Sequence, residues 1–220
     1  KSFKGIKSRY EDIDLVIVRE NTEGLYSGIE HKIGDYGAET IKIITKPACE
    51  RICEFAFNYA KDNNRKKVTG VHKANIMKLS DGLFLNTFRD IASKYPDIKS
   101  DDLIVDAACM NLVINPEKYD VMVMPNLYGD IVSDLCSGLV GGLGMIPGAN
   151  IGKDYAVFEA VHGSAPDIAG KNIANPTAII QSSVMMLRYL GEQEAAAKIE
   201  NALVKVFEKG ENLTGDLGGN

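Results

Sequence analysis

The chain has 220 residues, which is enough for one large domain or two modest ones with a real core. Apolar residues make up 45% of it and charged residues 25%, as in ordinary globular proteins. The 30 acidic and 25 basic residues give a net charge of −5, which argues against a nucleic-acid partner because no strong positive field is available. No apolar run is long enough to cross a bilayer, so no membrane partner is expected.

The chain begins at Lys1 without an initiator methionine or a signal segment, so we expect a processed chain or a fragment. Its cysteines do not follow a zinc-binding spacing, because no histidine or further cysteine lies near the pair Cys49 and Cys53. We therefore predict free thiols in a reducing compartment, and we include Cys109 and Cys136 in that prediction.

The first third of the chain predicts two strands and a helix. Residues 13–18 form an apolar run typical of a buried strand, and residues 39–45 alternate as in a half-exposed strand. Pro47 then opens a helix. The apolar positions of this helix that are spaced to face a core are Ile52, Phe55, Ala56 and Tyr59.

The middle of the chain predicts three more strands, over residues 68–71, 103–105 and 121–124. A helix separates the first two of them, and Ser80 is suited to cap it. We expect this helix to bury Leu83, Phe84, Thr87, Phe88 and Ile91. A second helix, around residues 109–113, separates the last two strands.

After residue 124 comes a helix that includes Asp130 and Asp134, followed by a glycine-rich run that suggests a boundary near Val140. Residues 156–161 predict another strand. Asn175 and Pro176 are suited to cap and begin a helix that reaches Leu190, and residues 192–209 form a last amphipathic helix. This alternation of strands and helices predicts an α/β protein with a largely parallel sheet.

Two carboxylates four residues apart, Asp130 and Asp134, face the same way on the predicted helix. They follow the carboxyl end of a strand, where open α/β sheets place their ligands. A pair of this kind suits a hard divalent cation such as Mg²⁺ or Mn²⁺. The alternative is two acids that interact with the positive end of the helix dipole. Asp106, at the end of the strand 103–105, is a third candidate ligand or else a turn or cap residue.

Three further polar residues lie at predicted strand ends. Lys73 follows the strand 68–71 and can act as a base near a metal, or it is simply a solvated lysine. Arg19 has the fork geometry to hold a carboxylate. Tyr26 is a candidate proton donor, although many tyrosines pack at a core edge with a hydrated hydroxyl.

Taken together, four separated stretches resemble one known family. They are VIVRENTEGLYSGIEH, VHKANIMK, MPNLYGDIVSDL and VHGSAPDIAGKNIANP, and they resemble the β-decarboxylating dehydrogenases, which include the isocitrate and isopropylmalate dehydrogenases. The likeness covers essentially the whole chain. It implies a two-domain α/β fold of the isocitrate/isopropylmalate dehydrogenase type and not a Rossmann fold, and the chain contains no GxGxxG.

The resemblance also implies a domain organisation. Residues 1–140 correspond to the family's small domain, with a clasp-like insertion near residues 26–45, and residues 141–220 to the C-terminal part of its large domain. Family members begin with a further N-terminal segment that binds the substrate's carboxylates. The clasp implies an obligatory dimer, or a larger hetero-oligomer of homologous subunits, with shared active sites.

By resemblance, the polar residues at the strand ends take specific roles. Arg19 holds a carboxylate of the substrate, Lys73 helps to remove the hydroxyl proton in a partner's site, and Tyr26 protonates carbon after loss of CO₂. The implied ligands of Mg²⁺ or Mn²⁺ are Asp130, Asp134 and, from a partner subunit, Asp106.

A glycine- and proline-containing loop predicts the cofactor. Asp167 can accept hydrogen bonds from both ribose hydroxyls, and its charge would repel a 2′-phosphate, so we expect NAD rather than NADP. NADP-using relatives have lysine and tyrosine in place of Asp167 and Ile168. Asn175 resembles the adenine contact and can remain the helix cap. The other residues expected to wrap the adenosine, unless the loop is an ordinary surface turn, are His162, Gly163, Ser164, Ala165 and Pro166.

The implied activity is the NAD- and Mg²⁺- or Mn²⁺-dependent oxidative decarboxylation of isocitrate to 2-oxoglutarate and CO₂, a step of the tricarboxylic acid cycle. Residues 21–24 and 27–31 resemble the isocitrate-type enzymes. The expected compartment is the mitochondrial matrix, or the cytoplasm of a bacterium. The alternatives are a 3-isopropylmalate, homoisocitrate or tartrate dehydrogenase, a non-catalytic regulatory subunit of a heteromer, and a metal-binding protein without a redox role.

Overall fold

The computed structural model describes residues 1–219, which form two compact units. One unit is Asp14–Cys136, and the other combines Lys1–Ile13 with the residues from Ser137 onward. Within residues 1–219, no helix has both the length and the apolar character needed to span a membrane. These units are not identified with the small and large domains of the family. The assignment of residues 1–140 and 141–220 to those domains therefore stays a prediction.

A four-stranded parallel sheet organises the unit Asp14–Cys136, as the alternation of elements predicts. Its elements in chain order are β1 (Val16–Arg19), β2 (Glu30–Ile33), β3 (Gly37–Thr40), α1 (Lys46–Asp62), β4 (Lys67–His72), α2 (Ser80–Ala92), β5 (Lys99–Ile104), α3 (Val105–Ile114), β6 (Val121–Met124) and α4 (Asn126–Leu139). The order of the strands in the sheet is β1-β6-β4-β5, and β2 and β3 form a separate antiparallel hairpin.

The core of this unit lies where α1 and α2 pack on the sheet. Phe57 of α1 and Phe88 of α2 are almost fully buried, with ring centroids 5.7 Å apart. The predicted face of α1 is partly wrong, since Ile52, Phe55 and Tyr59 lie only at the edge of the core. The fully covered face of α1 consists mostly of small residues, which allow the helix to approach the sheet closely. Its buried members are Ala48, Cys49, Cys53, Ala56, Phe57 and Ala60.

Two predicted boundaries differ from the structure near the candidate site. The strand expected over residues 39–45 ends at Thr40, and beyond it Ile43 forms only an isolated bridge with Gly24. Thr45 caps α1, with its side chain accepting from the backbone N of Ala48. The strand expected over residues 103–105 begins at Lys99 and ends at Ile104, so Asp106 lies in the first turn of α3. The predicted cap is also displaced by one residue, since Ser80 is the first residue of α2 and the N-cap is Leu79.

The other unit is built on an antiparallel hairpin and two helices. The glycine-rich run contains a strand that its composition does not predict, β7 (Pro147–Ile151), which pairs with β8 (Ala156–Ala160). The helices α5 (Thr177–Tyr189) and α6 (Gln193–Lys209) follow. A small core in this unit joins Phe3 and Ile6 from the start of the chain to Met145 and Phe207.

Gly70, in the middle of β4, is expected to tolerate no side chain. A Cβ at this position would lie 2.9 Å from the buried ring of Phe88. Gly70→Ala should therefore lower the free energy of unfolding by about 1–3 kcal/mol through overpacking, measured by urea denaturation. Gly82→Ala in α2 is the matched control, because its Cβ would meet nothing within 4 Å among the described residues. An equal loss in both variants would contradict the packing argument.

Candidate active site

The carboxyl ends of the parallel strands bring the predicted polar residues to one edge of the sheet. Arg19 ends β1 and is in register with Met124, the last residue of β6. His72 ends β4 in register with Ile104 of β5, so Lys73 and Asp106 both follow that edge. This edge is where open α/β sheets place their ligands.

Arg19 contacts α4 with three of its nitrogen atoms. Its Nη1 lies 2.7 Å from Oδ1 of Asp130, and its Nε and Nη2 donate to Oδ1 of Asn126 at 3.0 and 2.8 Å. Asn126 is buried, and its Nδ2 donates to the backbone oxygen of Glu23 at 3.0 Å. The guanidinium is therefore held in one orientation, with its positive charge directed at Asp130.

Gly129 makes room for the Arg19 side chain. A Cβ on residue 129 would lie only 2.4 Å from Cγ and 2.6 Å from Cβ of Arg19. Any other residue at this position would move either the arginine or the helix. The glycine that precedes the carboxylate pair in the sequence thus has a steric role that its position alone does not reveal.

Tyr26 binds the other oxygen of the same carboxylate. Its hydroxyl donates to Oδ2 of Asp130 at 2.8 Å, and the Arg19 guanidinium lies 5.1 Å from the centre of its ring. The hydrogen bond to Asp130 raises the pKa of Tyr26 above its ordinary value, because it favours the neutral phenol. Arg19, Tyr26 and Asp130 therefore form one compact group, in which Tyr26 remains 55% exposed.

Two buried glutamates, Glu20 and Glu23, hold the segment that bears Tyr26. Both lie within the first family motif, but the sequence analysis predicts no role for them. Glu20 accepts from the backbone N of Thr22 at 2.9 Å and of Glu23 at 3.0 Å. Glu23 in turn accepts from the backbone N of Thr45 at 2.7 Å and from its hydroxyl at 2.8 Å. The place of both glutamates in that motif, within four residues of the end of β1, is the signal that could have identified them.

Lys73 and Asp106 form a second group. Nζ of Lys73 lies 2.5 Å from Oδ1 of Asp106, and the lysine side chain is 26% exposed. The hydrogen bond from Lys73 holds the pKa of Asp106 below its ordinary value. Within residues 1–219, no three side chains of the metal-binding types come close enough to hold one ion, so Asp106 does not complete a site with Asp130 and Asp134 of the same chain.

Asp130 and Asp134 nevertheless have the chemistry of cation ligands. Both lie on α4, which begins at Asn126, so neither is in its first turn and the helix-dipole alternative loses its basis. Asp134 is exposed to solvent. Carboxylate oxygens are the donors that Mg²⁺ and Mn²⁺ prefer. A cation at Asp130 would compete with the two donors, Arg19 and Tyr26, that bind its oxygens in this structure.

The predicted cofactor loop is exposed along almost its whole length. Ala165 has a left-handed backbone with φ of 42°, and Pro166–Ile168 forms a single 3-10 turn. All the predicted contact residues from His162 to Asp167 are exposed. The N-cap of α5 is Pro176 rather than the predicted Asn175, and the helix begins at Thr177. Asn175 nevertheless accepts from the backbone N of Thr177 at 2.9 Å, and its Nδ2 donates to Asp216 at 2.9 Å. The structure thus fixes the orientation of this amide.

The four cysteines are free. Cys49 and Cys53 are buried in the core of α1, and burial raises the pKa of Cys49 to about 12. A thiol with such a pKa is inert at neutral pH, so the core pair has a packing role.

Comparisons with known proteins find relatives that all belong to one family. A sequence model of the family described as isocitrate/isopropylmalate dehydrogenase matches residues 2–220. The chain is 58% identical over 219 residues to the probable alpha chain of a mitochondrial NAD isocitrate dehydrogenase of Drosophila melanogaster, covering 100% of this chain and 58% of that protein. It is 59% identical over 220 residues to a regulatory chain of a mitochondrial NAD isocitrate dehydrogenase of Dictyostelium discoideum, covering 100% of this chain and 62% of that protein.

A solved structure shares the fold. The crystal structure of isocitrate dehydrogenase from Methylococcus capsulatus superposes with a TM-score of 0.95 at 56% identity, covering 98% of this chain and 65% of that chain. The chain spans about three fifths of the length of the curated relatives that it matches.

The hydrogen bond between Tyr26 and Asp130 can be tested by titration without metal. In Asp130→Asn, the pKa of Tyr26 should fall, because the carboxylate that favours the neutral phenol is gone while Arg19 remains nearby. NMR of carbon-labelled tyrosine in a metal-free pH series measures this pKa. Asp134→Asn removes a carboxylate one helical turn away and should leave the pKa of Tyr26 almost unchanged. The same shift in both variants would show that the hydrogen bond is not its cause.

Proposed function

Because the chain belongs to the isocitrate/isopropylmalate dehydrogenase family, we propose that it is the larger part of a catalytic subunit of an NAD-dependent isocitrate dehydrogenase. In that role it oxidises and decarboxylates isocitrate to 2-oxoglutarate and CO₂. The observation that supports this best is the convergence of Arg19 and Tyr26 on the carboxylate of Asp130. A guanidinium that can bind a carboxylate, a hydroxyl that can donate a proton and a carboxylate of the kind that binds metal ions thus meet at one edge of the sheet.

Asp130 and Asp134 are the residues of this chain that would hold Mg²⁺ or Mn²⁺, together with Asp106 of a partner subunit. When bound, such an ion polarises the substrate hydroxyl and stabilises the negative charge of the enolate. The two acids of α4 supply oxygen donors of the right kind, and their spacing places both on one helical face.

Arg19 and Tyr26 would act directly on the substrate. The fork of Arg19 would bind a substrate carboxylate through Nη1 if Asp130 released it, while Asn126 holds its Nε and Nη2. A tyrosine ordinarily has a pKa of about 10, so the phenol of Tyr26 is protonated at neutral pH and available to donate to carbon. Tyr26 as a whole is exposed, so a substrate can approach its side chain.

Lys73 would serve as the base that accepts the hydroxyl proton. It lies beside Asp106 and not in the group of Asp130, which agrees with an active site shared between two chains. In such an arrangement, Lys73 and Asp106 of one chain complete the site that contains Asp130 and Asp134 of another. The partner is thus a homologous subunit, in a dimer or a larger hetero-oligomer.

The exposed loop from His162 to Asp167 would bind the adenosine of NAD. Asp167 is exposed and can accept from both hydroxyls of the ribose. The relatives described above are named as NAD-dependent and mitochondrial, so we place this protein in the mitochondrial matrix and in the tricarboxylic acid cycle.

A regulatory subunit is the second candidate, because one close relative is named as regulatory. The catalytic role is favoured by the residues themselves. The side chains proposed for catalysis are all present in this chain. Arg19 and Tyr26 contact Asp130, and Lys73 forms an ion pair with Asp106.

The activity is tested on the full-length protein assembled with its partner subunits. Isocitrate with Mn²⁺ should reduce NAD, whereas isopropylmalate and homoisocitrate should not. A preference for either of the latter substrates would show that the chain belongs to another branch of the family, with a different substrate specificity. Activity that depends entirely on the partners' own sites, and survives loss of Asp130, would support the regulatory alternative.

Asp130→Asn should lower kcat by at least about 10²-fold, because the transition state loses a charge-stabilising group. It should also weaken Mn²⁺ binding, measured by calorimetry on the same assembly. The control is Asp62→Asn, which changes an exposed aspartate at the end of α1 in the same unit. Near-normal turnover and Mn²⁺ affinity in Asp130→Asn would refute the metal assignment.

Asp167→Lys should raise the Kd for NAD by about 10- to 100-fold, because two charge-assisted hydrogen bonds to the ribose are lost. NADP binding should improve, since a lysine attracts the 2′-phosphate. Asp154→Lys makes the same charge change in the exposed turn between β7 and β8 and should leave both affinities unchanged. Unchanged NAD affinity in Asp167→Lys would mean that the loop has another role.

A further inference from the structure

We propose that Asp81 is a positioning residue for Lys73, because its buried carboxylate holds the backbone of the loop that bears this lysine. The inference rests on the proposed function, in which Lys73 is the base. Asp81 lies in the first turn of α2 and belongs to none of the four family motifs. Its side chain is completely buried, which requires that its charge be paired and its oxygens be hydrogen-bonded.

Three donors from three separate segments meet at this carboxylate. Oδ2 accepts from the backbone N of Lys73 at 2.7 Å and from the hydroxyl of Tyr128 at 2.9 Å. Oδ1 forms an ion pair with Nζ of Lys42, whose side chain is only 12% exposed. The carboxylate therefore ties the lysine loop both to the segment before α1 and to α4, the helix of Asp130 and Asp134.

Lys42 and Tyr128 also contact each other. Nζ of Lys42 lies 4.5 Å from the centre of the Tyr128 ring and 3.3 Å from its hydroxyl oxygen. The three side chains thus form a closed polar cluster in which the buried charges of Asp81 and Lys42 neutralise each other. Such a cluster gains little stability over apolar packing, so a specific geometric role is a reasonable explanation for it.

The next residue of the loop is held from the other side. The backbone N of Ala74 donates to Nδ1 of His72 at 3.0 Å, so the ring carries its proton on Nε2, which faces Oδ2 of Asp102 at 3.3 Å. Arg89 holds Asp102 in turn, with Nη2 at 2.9 Å. Two consecutive amides around Lys73 are therefore bound by two buried side chains.

This arrangement matters because of the length of the lysine side chain. Nζ of Lys73 sits at the end of four rotatable bonds and reaches Asp106 from a side chain that is partly exposed. Fixing the backbone sets the starting point of the side chain, and the ion pair with Asp106 then restrains its rotatable bonds. A displacement of about 1 Å at a reacting group can lower a rate by about 10²-fold.

The test uses the full-length protein assembled with its partner subunits. Asp81→Asn would keep an oxygen that accepts from the backbone N of Lys73. An apolar residue there alone would leave Lys42 buried without a counter-charge, so the main variant is the double substitution Asp81→Leu with Lys42→Met. Tyr128→Phe is the matched control, because it removes one hydrogen bond from the same oxygen but keeps the bond to Lys73. Both variants are compared by steady-state kinetics, by Tm, and by hydrogen exchange of peptides covering residues 72–78.

In the double variant, kcat should fall by about 10- to 100-fold, while the KM for isocitrate stays within about threefold of the unmodified protein. Exchange in residues 72–78 should accelerate by at least about tenfold. Tyr128→Phe should lower Tm but leave kcat and this exchange close to normal. A folded double variant with normal kcat and normal exchange would overturn the inference. An equal loss of kcat in Tyr128→Phe, without faster exchange, would also overturn it, since the cluster would then act through α4.

The two proposals fail in different ways. If the unmodified assembly does not oxidise isocitrate, the proposed function is wrong. The exchange measurement still decides whether Asp81 holds the backbone of Lys73, because it needs neither substrate nor metal.

Discussion

Arg19 reaches from the last residue of β1 to α4, and its guanidinium meets the carboxylate of Asp130 at 2.7 Å. Asp130 and Asp134 lie one helical turn apart, so their negative charges repel each other unless a positive charge is close. In this structure the positive charge comes from Arg19. The other features of the site follow from its placement: Gly129 has no side chain, Asn126 binds two nitrogens of the fork, and Tyr26 takes the remaining oxygen of Asp130.

Buried acids fix the loops that follow the strands. Glu20, Glu23 and Asp81 are each less than one tenth exposed, and each accepts at least one backbone N–H of a loop near the sheet edge. A carboxylate suits this task because it can accept several hydrogen bonds at once, and bonds to a charged acceptor are stronger than those between neutral groups. The loops near the proposed site are therefore held by acids that are themselves buried in the protein.

The polar residues of the sheet edge fall into two groups within one chain. Arg19, Tyr26 and Asp130 contact one another, and Lys73 contacts Asp106. Membership of the isocitrate/isopropylmalate dehydrogenase family, and the high structural similarity to a bacterial isocitrate dehydrogenase, confirm the fold expected from the four motifs. A site shared between two chains would require this separation into two groups. In the proposed dimer, one chain would supply the group of Asp130 and the other chain the group of Lys73.

Short-range patterns were enough to predict several elements and site residues. The strand Val121–Met124 was predicted with its observed bounds, because four consecutive fully buried apolar residues leave a clear signal. The placement of Asp130 and Asp134 on one helix also followed from spacing alone. The strands β2 and β7 were missed, since each is short and exists only through pairing with a neighbour that no local pattern reveals.

The sequence by itself determined the α/β class, the family and the residue types at the strand ends, because hydrophobic period and motif order are written along the chain. Only the tertiary structure decided which of those residues meet. Arg19 and Asn126 are 107 positions apart, and Asp81 and Tyr128 are 47 apart. Contacts over such separations depend on how the sheet orders its strands, and that order is set by the packing of the whole unit rather than by any local stretch.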